Sequence, residues 1–418
     1  MNGTRDESHA IILSGGGANG AYEIGVLKAL FAGKAPVPPG DQRLEPDVFA
    51  GTSVGSYNAA FLVSRWGTYG SAAIASLEQL WLETVSSTAL RQNSVFRIRE
   101  DPRPFLNPRS LALDPLGPFY NLVNDSAALA WYGVERAVSL VTAREPLIQR
   151  VAQLIDFTAF IVLDPFRNLI YDTVWFSEIR RSQKKLVIAA TNWEMGEVRL
   201  FENHDMTDDL GPIAILSSTA IPGIFPPVQC GAQLYVDGGV LLNTPLNPVI
   251  DRGANVLHVI SMFPDVEQIP LGTISNTLAT VYRQQLISWA KTLQSNIRRV
   301  RDLNGVLRIT DHGDRLLQWL RERASPEELA GLHIQDIETF LTRYRRYTPV
   351  TVHQYFPRDD VSGALGLLDF DRDRIKALIE RGFEDAVHHD CRINNCVLLE
   401  EAPSAERVIP AAESLLKV

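Results

Sequence analysis

The fold is decided by two stretches, AIILSGGGANGAYEIGVLKALF at residues 10–31 and DVFAGTSVG at residues 47–55. In each stretch a short apolar run ends at a glycine-containing turn, and an apolar segment with helix-like spacing follows that turn. The first of these helices places Tyr22, Val26 and Leu30 on one face. A strand, a tight turn and a helix that occur twice in succession predict an α/β sheet.

Further apolar runs continue this pattern along the chain. Lys185–Ala190 is a continuous apolar strand of the kind that parallel sheets bury on both faces. Other predicted strands are 198–201, 233–236, 255–260 and 350–356, and predicted helices cover 65–90, 278–303, 316–347 and 371–388. We therefore expect an α/β domain over residues 8–265, a helical insertion within it over 91–183, and a mainly helical C-terminal region over 266–418.

Charge limits the classes of partner. The 418 residues include 40 basic and 49 acidic side chains, which give a formal net charge of −9. Because nucleic-acid binding requires a basic surface, we expect no nucleic-acid partner. One segment, 283–347, departs from this balance with 12 basic and 8 acidic residues, a net charge of +4. It is either a solvated helix face or a contact surface for an anionic membrane.

The N-terminal sequence bears on localisation. It reads MNGTRDESHAIIL, with acidic residues where a signal peptide has basic ones. No apolar stretch approaches the roughly 20 residues that a membrane-spanning helix needs. The expectation is a cytoplasmic protein, with peripheral contact at a membrane as an option.

The three cysteines, Cys230, Cys391 and Cys396, cannot all pair with one another within one chain. None has the C-x-x-C spacing that is typical of zinc sites. Cys391 and Cys396, with His388 and His389 beside them, are only a weak indication of metal binding. We expect free thiols in a reducing compartment, no bound metal and no cofactor.

Gly51-Thr-Ser53-Val-Gly55 is a G-x-S-x-G sequence directly after a strand and before a helix. A nucleophilic serine needs a sharp turn that exposes its hydroxyl in a cleft, and the glycines relieve backbone crowding there. The context favours Ser53 as a nucleophile over a serine in an ordinary tight turn.

The glycine-rich turn after the first strand, Gly15-Gly16-Gly17-Ala18-Asn19-Gly20, brings backbone N–H groups together at a helix N-terminus. Such a turn can hold a phosphate or the oxyanion of an acyl intermediate. Its letters also satisfy G-x-G-x-x-G, so a dinucleotide-dependent oxidoreductase is an alternative. That alternative needs a second strand ending in an acidic residue about 20 positions on, whereas residues 33–46 are a Pro- and Gly-rich loop.

Asp237-Gly238-Gly239 follows a predicted strand, where a carboxylate could act as a base, although a hairpin turn has the same local sequence. Among the histidines, only His312 resembles the base of a catalytic triad, and it lies in the helical C-terminal region. A Ser–Asp pair without histidine is therefore the leading arrangement, and Ser53 with His312 is the weaker alternative.

Four motifs occur in order: GGGANG at 15–20, GTSVG at 51–55, STAIPGIFPPV at 218–228 and DGG at 237–239. Together they resemble the patatin-like phospholipase family of lipid acyl hydrolases, over roughly residues 8–263. The resemblance implies a three-layer α/β/α fold with a mostly parallel sheet, Ser53 as nucleophile and Asp237 as its only partner. It also implies an oxyanion hole formed by Gly15, Gly16, Gly17 and Ala18, with motif-supporting glycines at 20, 51, 55, 238 and 239.

The chain departs from the family pattern at one position. The family usually has arginine or lysine before the last glycine of the first motif, and this chain has Asn19. The departure removes a cation near the site, which weakens the expectation of a phosphate headgroup in the substrate.

The resemblance implies hydrolysis of (lyso)phospholipids or related acyl esters through an acyl-enzyme on Ser53, with a lipid or acyl ester as partner. The apolar segments Ala127–Val141 and Leu154–Leu163 of the insertion are expected either to wall an acyl-chain pocket or to add core around the sheet. A catalytically silent interaction protein on the same fold is the remaining alternative.

Overall fold

The computed structural model describes residues 7–36, 44–88, 91–98, 161–263, 277–323, 347–358 and 364–399, and the isolated positions 335, 338, 339, 341 and 342. The predicted segment Ala127–Val141 and most of Leu154–Leu163 lie outside these residues. The strands are β1 His9–Leu13, β2 Pro46–Thr52, β3 Arg97–Ile98, β4 Ile161–Val162, β5 Lys185–Asn192, β6 Glu197–Glu202, β7 Val228–Cys230, β8 Gln233–Asp237, β9 Val256–Ile260 and β10 Thr351–Tyr355.

The helices are α1 Gly20–Phe31, α2 Val54–Tyr69, α3 Ala73–Leu80, α4 Asp164–Thr173, α5 Phe176–Arg181, α6 Leu210–Thr219, α7 Leu246–Ile250, α8 Thr277–Arg323 and α9 Arg372–Val387. The π-helical turn Trp81–Val85 continues α3. Short 3₁₀ turns cover Gly17–Asn19, Gly238–Val240 and Ala364–Leu368. The expected helix over 65–90 is instead made of the end of α2, then α3 and the π-helical turn, which ends at Val85. Helix α8 is continuous, so it covers the expected helix 278–303 and the first part of the expected helix 316–347.

The central sheet has the order β10-β9-β1-β2-β5-β8-β7, and β6 pairs with β5. The strands from β10 to β5 run parallel, whereas β6 and β8 run antiparallel to β5. The expected mostly parallel α/β sheet is confirmed. Lys185–Ala190 is a strand as predicted, but only its pairing with β2 is parallel.

Alternating side chains of the strands enter two separate cores. On β1, Ile11 and Leu13 pack in the cluster that contains α1, α2, α3 and α9, whereas Ala10 and Ile12 pack in the cluster that contains α7 and α8. Because successive strand residues point to opposite faces, helices cover both sides of the sheet. This is the three-layer α/β/α arrangement that the family resemblance implied.

The C-terminal region is part of the same body. Its strand β10 extends the sheet beside β9, and α9 packs along α1. Helix α8 covers the other face with an apolar stripe at helical spacing, Leu286, Ala290, Leu293, Ile297 and Val300. No described helix is both long and apolar enough to cross a membrane, and this includes α8 with its 47 residues.

The register of the sheet brings three turns together. Leu13 at the end of β1 pairs with Gly51, Thr52 at the end of β2 pairs with Ala189, and Ala190 pairs with Asp237 at the end of β8. The glycine-rich turn, the turn at Ser53 and the turn after Asp237 therefore meet at the carboxyl edge of the parallel strands. Ligand sites of open α/β sheets lie at this edge.

Candidate active site

Ser53 occupies a strained turn between β2 and α2. Its φ of 55° and ψ of −130° lie in a region that non-glycine residues rarely adopt. Its N–H donates to Ser218 Oγ at 2.9 Å, and Ser218 donates in turn to Ala189 O at 2.7 Å. A Cβ on Gly55 would lie 2.5 Å from Leu13 O. The spacing G-x-S-x-G thus allows a turn that larger residues would block.

Asp237 is buried beside Ser53 at the end of β8. It has a side-chain hydrogen bond with Ser53, and its Oδ1 accepts the Gly239 N–H at 2.7 Å. Burial raises the pKa of Asp237 to about 7, and the hydrogen bonds from Ser53 and Gly239 oppose part of that rise. A carboxylate with such a pKa can exchange a proton with Ser53 near neutral pH.

The glycine-rich turn lies against Ser53 but does not offer all of its N–H groups. Gly15 N donates to Asn243 Oδ1 at 3.1 Å, and Asn243 Nδ2 donates back to Gly15 O at 3.4 Å. Asn243 therefore occupies one of the expected oxyanion donors. Gly17, with a φ of 57°, faces the cavity that contains Ser53.

A buried polar network lies behind this turn. Asn58 on α2 donates to Glu23 Oε2 at 2.8 Å and to Gly20 O at 3.3 Å, and it accepts Trp81 Nε1–H at 3.0 Å. Burial raises the pKa of Glu23 well above its usual range. The network joins α1, α2 and the π-helical turn at the point where the glycine-rich turn becomes a helix.

A cation from the C-terminal region stands next to Asn19. Arg374 on α9 donates to Asn19 Oδ1 at 2.7 Å and to Asp369 O at 2.7 Å. The expectation that Asn19 leaves this position without a cation is therefore wrong. Sequence alone could not show this, because the two residues are 355 positions apart and only the packing of α9 on α1 brings them together.

The C-terminal region also contacts the DGG turn. Trp289 and Gln285 on α8 both donate to Gly239 O, at 2.5 and 3.2 Å. A Cβ on Gly238 would overlap Ala189 O, which explains why a glycine follows Asp237. The turn at Asp237 is thus held between β5 and α8.

An apolar cavity opens over Ser53. Its lining combines the start of α2, the π-helical turn, α4, the STAIPGIF segment and the 3₁₀ turn 364–368 with Phe370. Most of the residues that line it are apolar; they include Tyr57, Trp81, Leu163, Phe166, Leu169, Ile221, Phe225, Leu367 and Phe370. Leu163, Phe166 and Leu169 belong to the expected insertion, so its last part contributes to the wall of this cavity.

Several of the residues in this site were not singled out from the sequence. Ser218 lies inside the quoted motif STAIPGIFPPV, and Asn243 lies four residues after DGG, so motif position was an available signal for both. Trp289 and Arg374 had no such signal. His312 lies within α8.

The chain was compared with protein families and with solved structures. The model of the family described as patatin-like phospholipase matches residues 11–250. Among solved structures, the crystal structure of VipD from Legionella pneumophila is similar at 13% sequence identity, with a TM-score of 0.35. That match covers 92% of this chain and 66% of the other, so this chain spans just under two thirds of that structure. With its motifs in order at the carboxyl edge of the sheet and the family model matching more than half its length, this chain belongs to the patatin-like phospholipase family.

Proposed function

We propose that the protein is a serine-dependent hydrolase that cleaves carboxylic ester bonds of (lyso)phospholipids or related acyl esters. The observation that carries this proposal is that Ser53, which lines an apolar cavity, has a side-chain hydrogen bond with buried Asp237. A nucleophile beside a base is the arrangement that acyl transfer requires.

In the proposed reaction, Ser53 Oγ attacks the acyl carbonyl while Asp237 accepts the serine proton. Asp237 then returns the proton to the leaving alcohol, and the acyl group remains on Ser53. In the second half, Asp237 takes a proton from water, the hydroxide attacks the acyl-enzyme, and the fatty acid leaves as Ser53 regains its proton. A pKa of about 7 suits both directions of transfer better than the usual value near 3.9.

The oxyanion of the tetrahedral intermediate needs donors beside Ser53. The Gly15 N–H already donates to Asn243 Oδ1. We therefore propose that the N–H groups of Gly16 and Gly17 bind the oxyanion, and that the N–H group of Ala18 is a further donor. Each such donor is typically worth about 10²–10³ in rate. The N-terminus of α1 adds the favourable end of a helix dipole behind them.

The apolar lining of the cavity supports an ester with an acyl chain. Phe166, Leu169 and Phe225 offer apolar contacts to a hydrocarbon chain, and burial of such a chain yields about 25 cal/mol per Å². Arg374, which donates to Asn19 Oδ1 in the glycine-rich turn, supplies a positive charge near the site.

The test is labelling by a fluorophosphonate together with hydrolysis of short acyl esters. We expect Ser53→Ala to abolish labelling, and Ser53→Ala and Asp237→Asn each to reduce hydrolysis at least about 10³-fold. Ser71→Ala, at an exposed serine of the next turn, is the matched control and should leave both unchanged. Labelling that survives Ser53→Ala would show that Ser53 is not the nucleophile, and an unlabelled wild type would assign the chain to the silent interaction proteins instead.

His312 provides a separate check on the base. Under the proposal His312→Ala retains full activity. A loss of activity comparable to that of Asp237→Asn, in a variant with an unchanged melting temperature, would favour histidine as the base.

A further inference from the structure

Four side chains that the proposed reaction does not use converge at the β10 edge of the sheet. His353 lies on β10, and His389, Cys391 and Cys396 lie in the segment that follows α9. One ligand-type atom of each lies within 4.8 Å of the corresponding atoms of the other three. Both imidazoles are buried, and both thiols are half-buried.

Three of the six distances among these atoms match edges of the tetrahedron around a zinc ion. Cys391 Sγ lies 3.5 Å from His353 Nδ1 and 3.4 Å from His389 Nε2, and Cys396 Sγ lies 3.6 Å from His389 Nε2. Zinc–sulfur bonds of about 2.3 Å and zinc–nitrogen bonds of about 2.0–2.1 Å, at tetrahedral angles, put a sulfur and a nitrogen about 3.6 Å apart. We propose that His353, His389, Cys391 and Cys396 form a structural zinc site.

The surroundings of the cluster fit a thiolate–metal site. The backbone N–H of Gln354 donates to Cys396 Sγ at 3.3 Å, and such donors stabilise a metal-bound thiolate. His258 stacks on His353 with ring centroids 5.3 Å apart, which fixes the plane of that ligand. Soft sulfur and imidazole ligands in tetrahedral geometry select zinc over calcium or magnesium.

The segment carrying three of the ligands is shaped around this point. Asn395 is one of two non-glycine residues with positive φ among the described residues, and the other is Ser53. Cys396 N donates to Cys391 O at 3.0 Å, which closes the loop, and Val397 pairs with Val352 on β10 through two bonds of 2.8 Å. The loop is thus bent so that both cysteines face the histidines.

Four protein ligands leave no open coordination position, which distinguishes structural from catalytic zinc. The ion would fasten the segment after α9 to the edge strand β10. Arg374 lies about 20 Å away along α9, at the other end of that helix. The site therefore secures the C-terminal segment rather than taking part in ester chemistry.

Spacing explains why the sequence did not predict this site. His353 is 36 residues before His389, and the cysteines lack a C-x-x-C pair, so no familiar zinc pattern is present. The adjacent His388, which the sequence placed beside the cysteines, instead bonds Glu384 O through Nδ1 at 2.9 Å.

Zinc content tests the proposal directly. The full chain, purified with a histidine-free tag from zinc-supplemented cells and dialysed against metal-free buffer, should contain about one zinc per chain by elemental analysis. Cys391→Ser combined with Cys396→Ser should remove it, and Cys230→Ser, at the third cysteine, should retain it. Less than about a tenth of a zinc ion per wild-type chain, or equal zinc in the double variant, would overturn the assignment.

Two measurements on the wild type keep the test valid if the double variant fails to fold. Thiol titration of the native protein should detect Cys230 alone, and all three thiols should react after a zinc chelator is added. Cobalt substitution should give the visible absorption of a tetrahedral ion with thiolate ligands. Immediate reaction of all three thiols, or a Cys391–Cys396 disulfide by non-reducing mass spectrometry, would contradict a zinc site.

Discussion

Ser53 adopts its unusual backbone conformation because its neighbours fix it from several sides. A non-glycine residue in such a region costs on the order of 1–3 kcal/mol. The hydrogen bonds from Ser53 N–H to Ser218 Oγ and from Ser56 to Ser53 O offset this cost, and Gly51 and Gly55 leave room for the turn. This backbone conformation places the Ser53 side chain in the lining of the cavity, where the proposed reaction takes place.

The first prediction concerns pH and activity. Asp237 acts as a base only when ionised, and burial raises its pKa to about 7. We expect kcat/KM for a non-titrating ester to fall about tenfold per pH unit below pH 7 and to be level above pH 8. A level profile down to pH 5 would show that the base has the ordinary pKa of a carboxyl.

The second prediction concerns stability. Between pH 4 and pH 7 folded wild type holds a proton on Asp237 that the unfolded chain has lost, so the free energy of unfolding decreases as pH rises. Moving this pKa from 3.8 to about 7 corresponds to about 4 kcal/mol. Asp237→Asn should therefore unfold at a higher temperature than wild type at pH 8, and this advantage should disappear near pH 4. Thermal unfolding across pH measures both; an advantage independent of pH would argue against a buried charge.

Among single residues, those within motifs were predictable from the sequence, and their hydrogen-bond partners were less so. Ser53 and Asp237 stand out because glycines flank them at strand ends, and such patterns are local. Asn243 accepts from Gly15 across 228 positions, and a single sequence does not record that contact. Its effect is specific, since it occupies one donor that the glycine-rich turn was expected to offer.

Among the elements, α9 has the greatest influence on the site. Its Asp371 caps the helix by accepting from the N–H groups of Asp373 and Arg374, and the helix packs along α1. Gly25 and Gly382 let the two helices approach, because a Cβ at either would overlap backbone of the other helix. The position of the glycine-rich turn at the head of α1 thus depends on α9.

The third prediction tests that dependence. Arg374→Gln removes a charge-assisted hydrogen bond to Asn19, and such bonds are worth about 1.5–3 kcal/mol. We expect the melting temperature to fall by a few degrees, and ester hydrolysis measured well below that temperature to fall by about tenfold or more. Arg372→Gln, at an exposed arginine of the same helix, should behave as wild type. Equal activity of the two variants would limit Arg374 to a packing role.

The elements also show where sequence patterns are informative. Strands β1, β2, β5 and β9 were predicted because their apolar runs are short and bounded by turns. Strand β10 and helix α9 were predicted as elements too, but their places in the sheet and against α1 were not. Hydrophobic spacing indicates that a helix has a buried face, and it does not indicate what covers that face.

For the whole molecule, the two halves of the sequence form one body. Strand β10 is an edge strand of the sheet, α8 covers one face of the sheet, and the turn 364–368 contributes to the lining of the cavity. The exposed arginines of the basic segment are not all alike, since Arg301 donates to Asn395 O at 2.7 Å in the proposed zinc loop. Any test of membrane contact by this segment should therefore neutralise Arg298 and Arg299 and leave Arg301 in place.

The fourth prediction follows from the packing of the C-terminal region against the rest of the molecule. A chain that ends at residue 265 keeps every motif but lacks α8, β10 and α9, and it would expose the apolar faces of α1 and the sheet. We expect it to be insoluble or to lose near-ultraviolet circular dichroism while keeping secondary structure. A folded, active fragment of this length would show that the motif-bearing part is self-sufficient.

The late position of α9 in the chain has a consequence for biosynthesis. At about 5–20 residues per second, the ribosome needs on the order of 15–60 s to proceed from Ser53 to Phe370. During that time the nucleophile exists, but the last wall of its cavity and the arginine beside its glycine-rich turn have not yet been made. The order of the sequence thus delays the proposed activity until the ribosome has passed Arg374 and α9 can pack against α1.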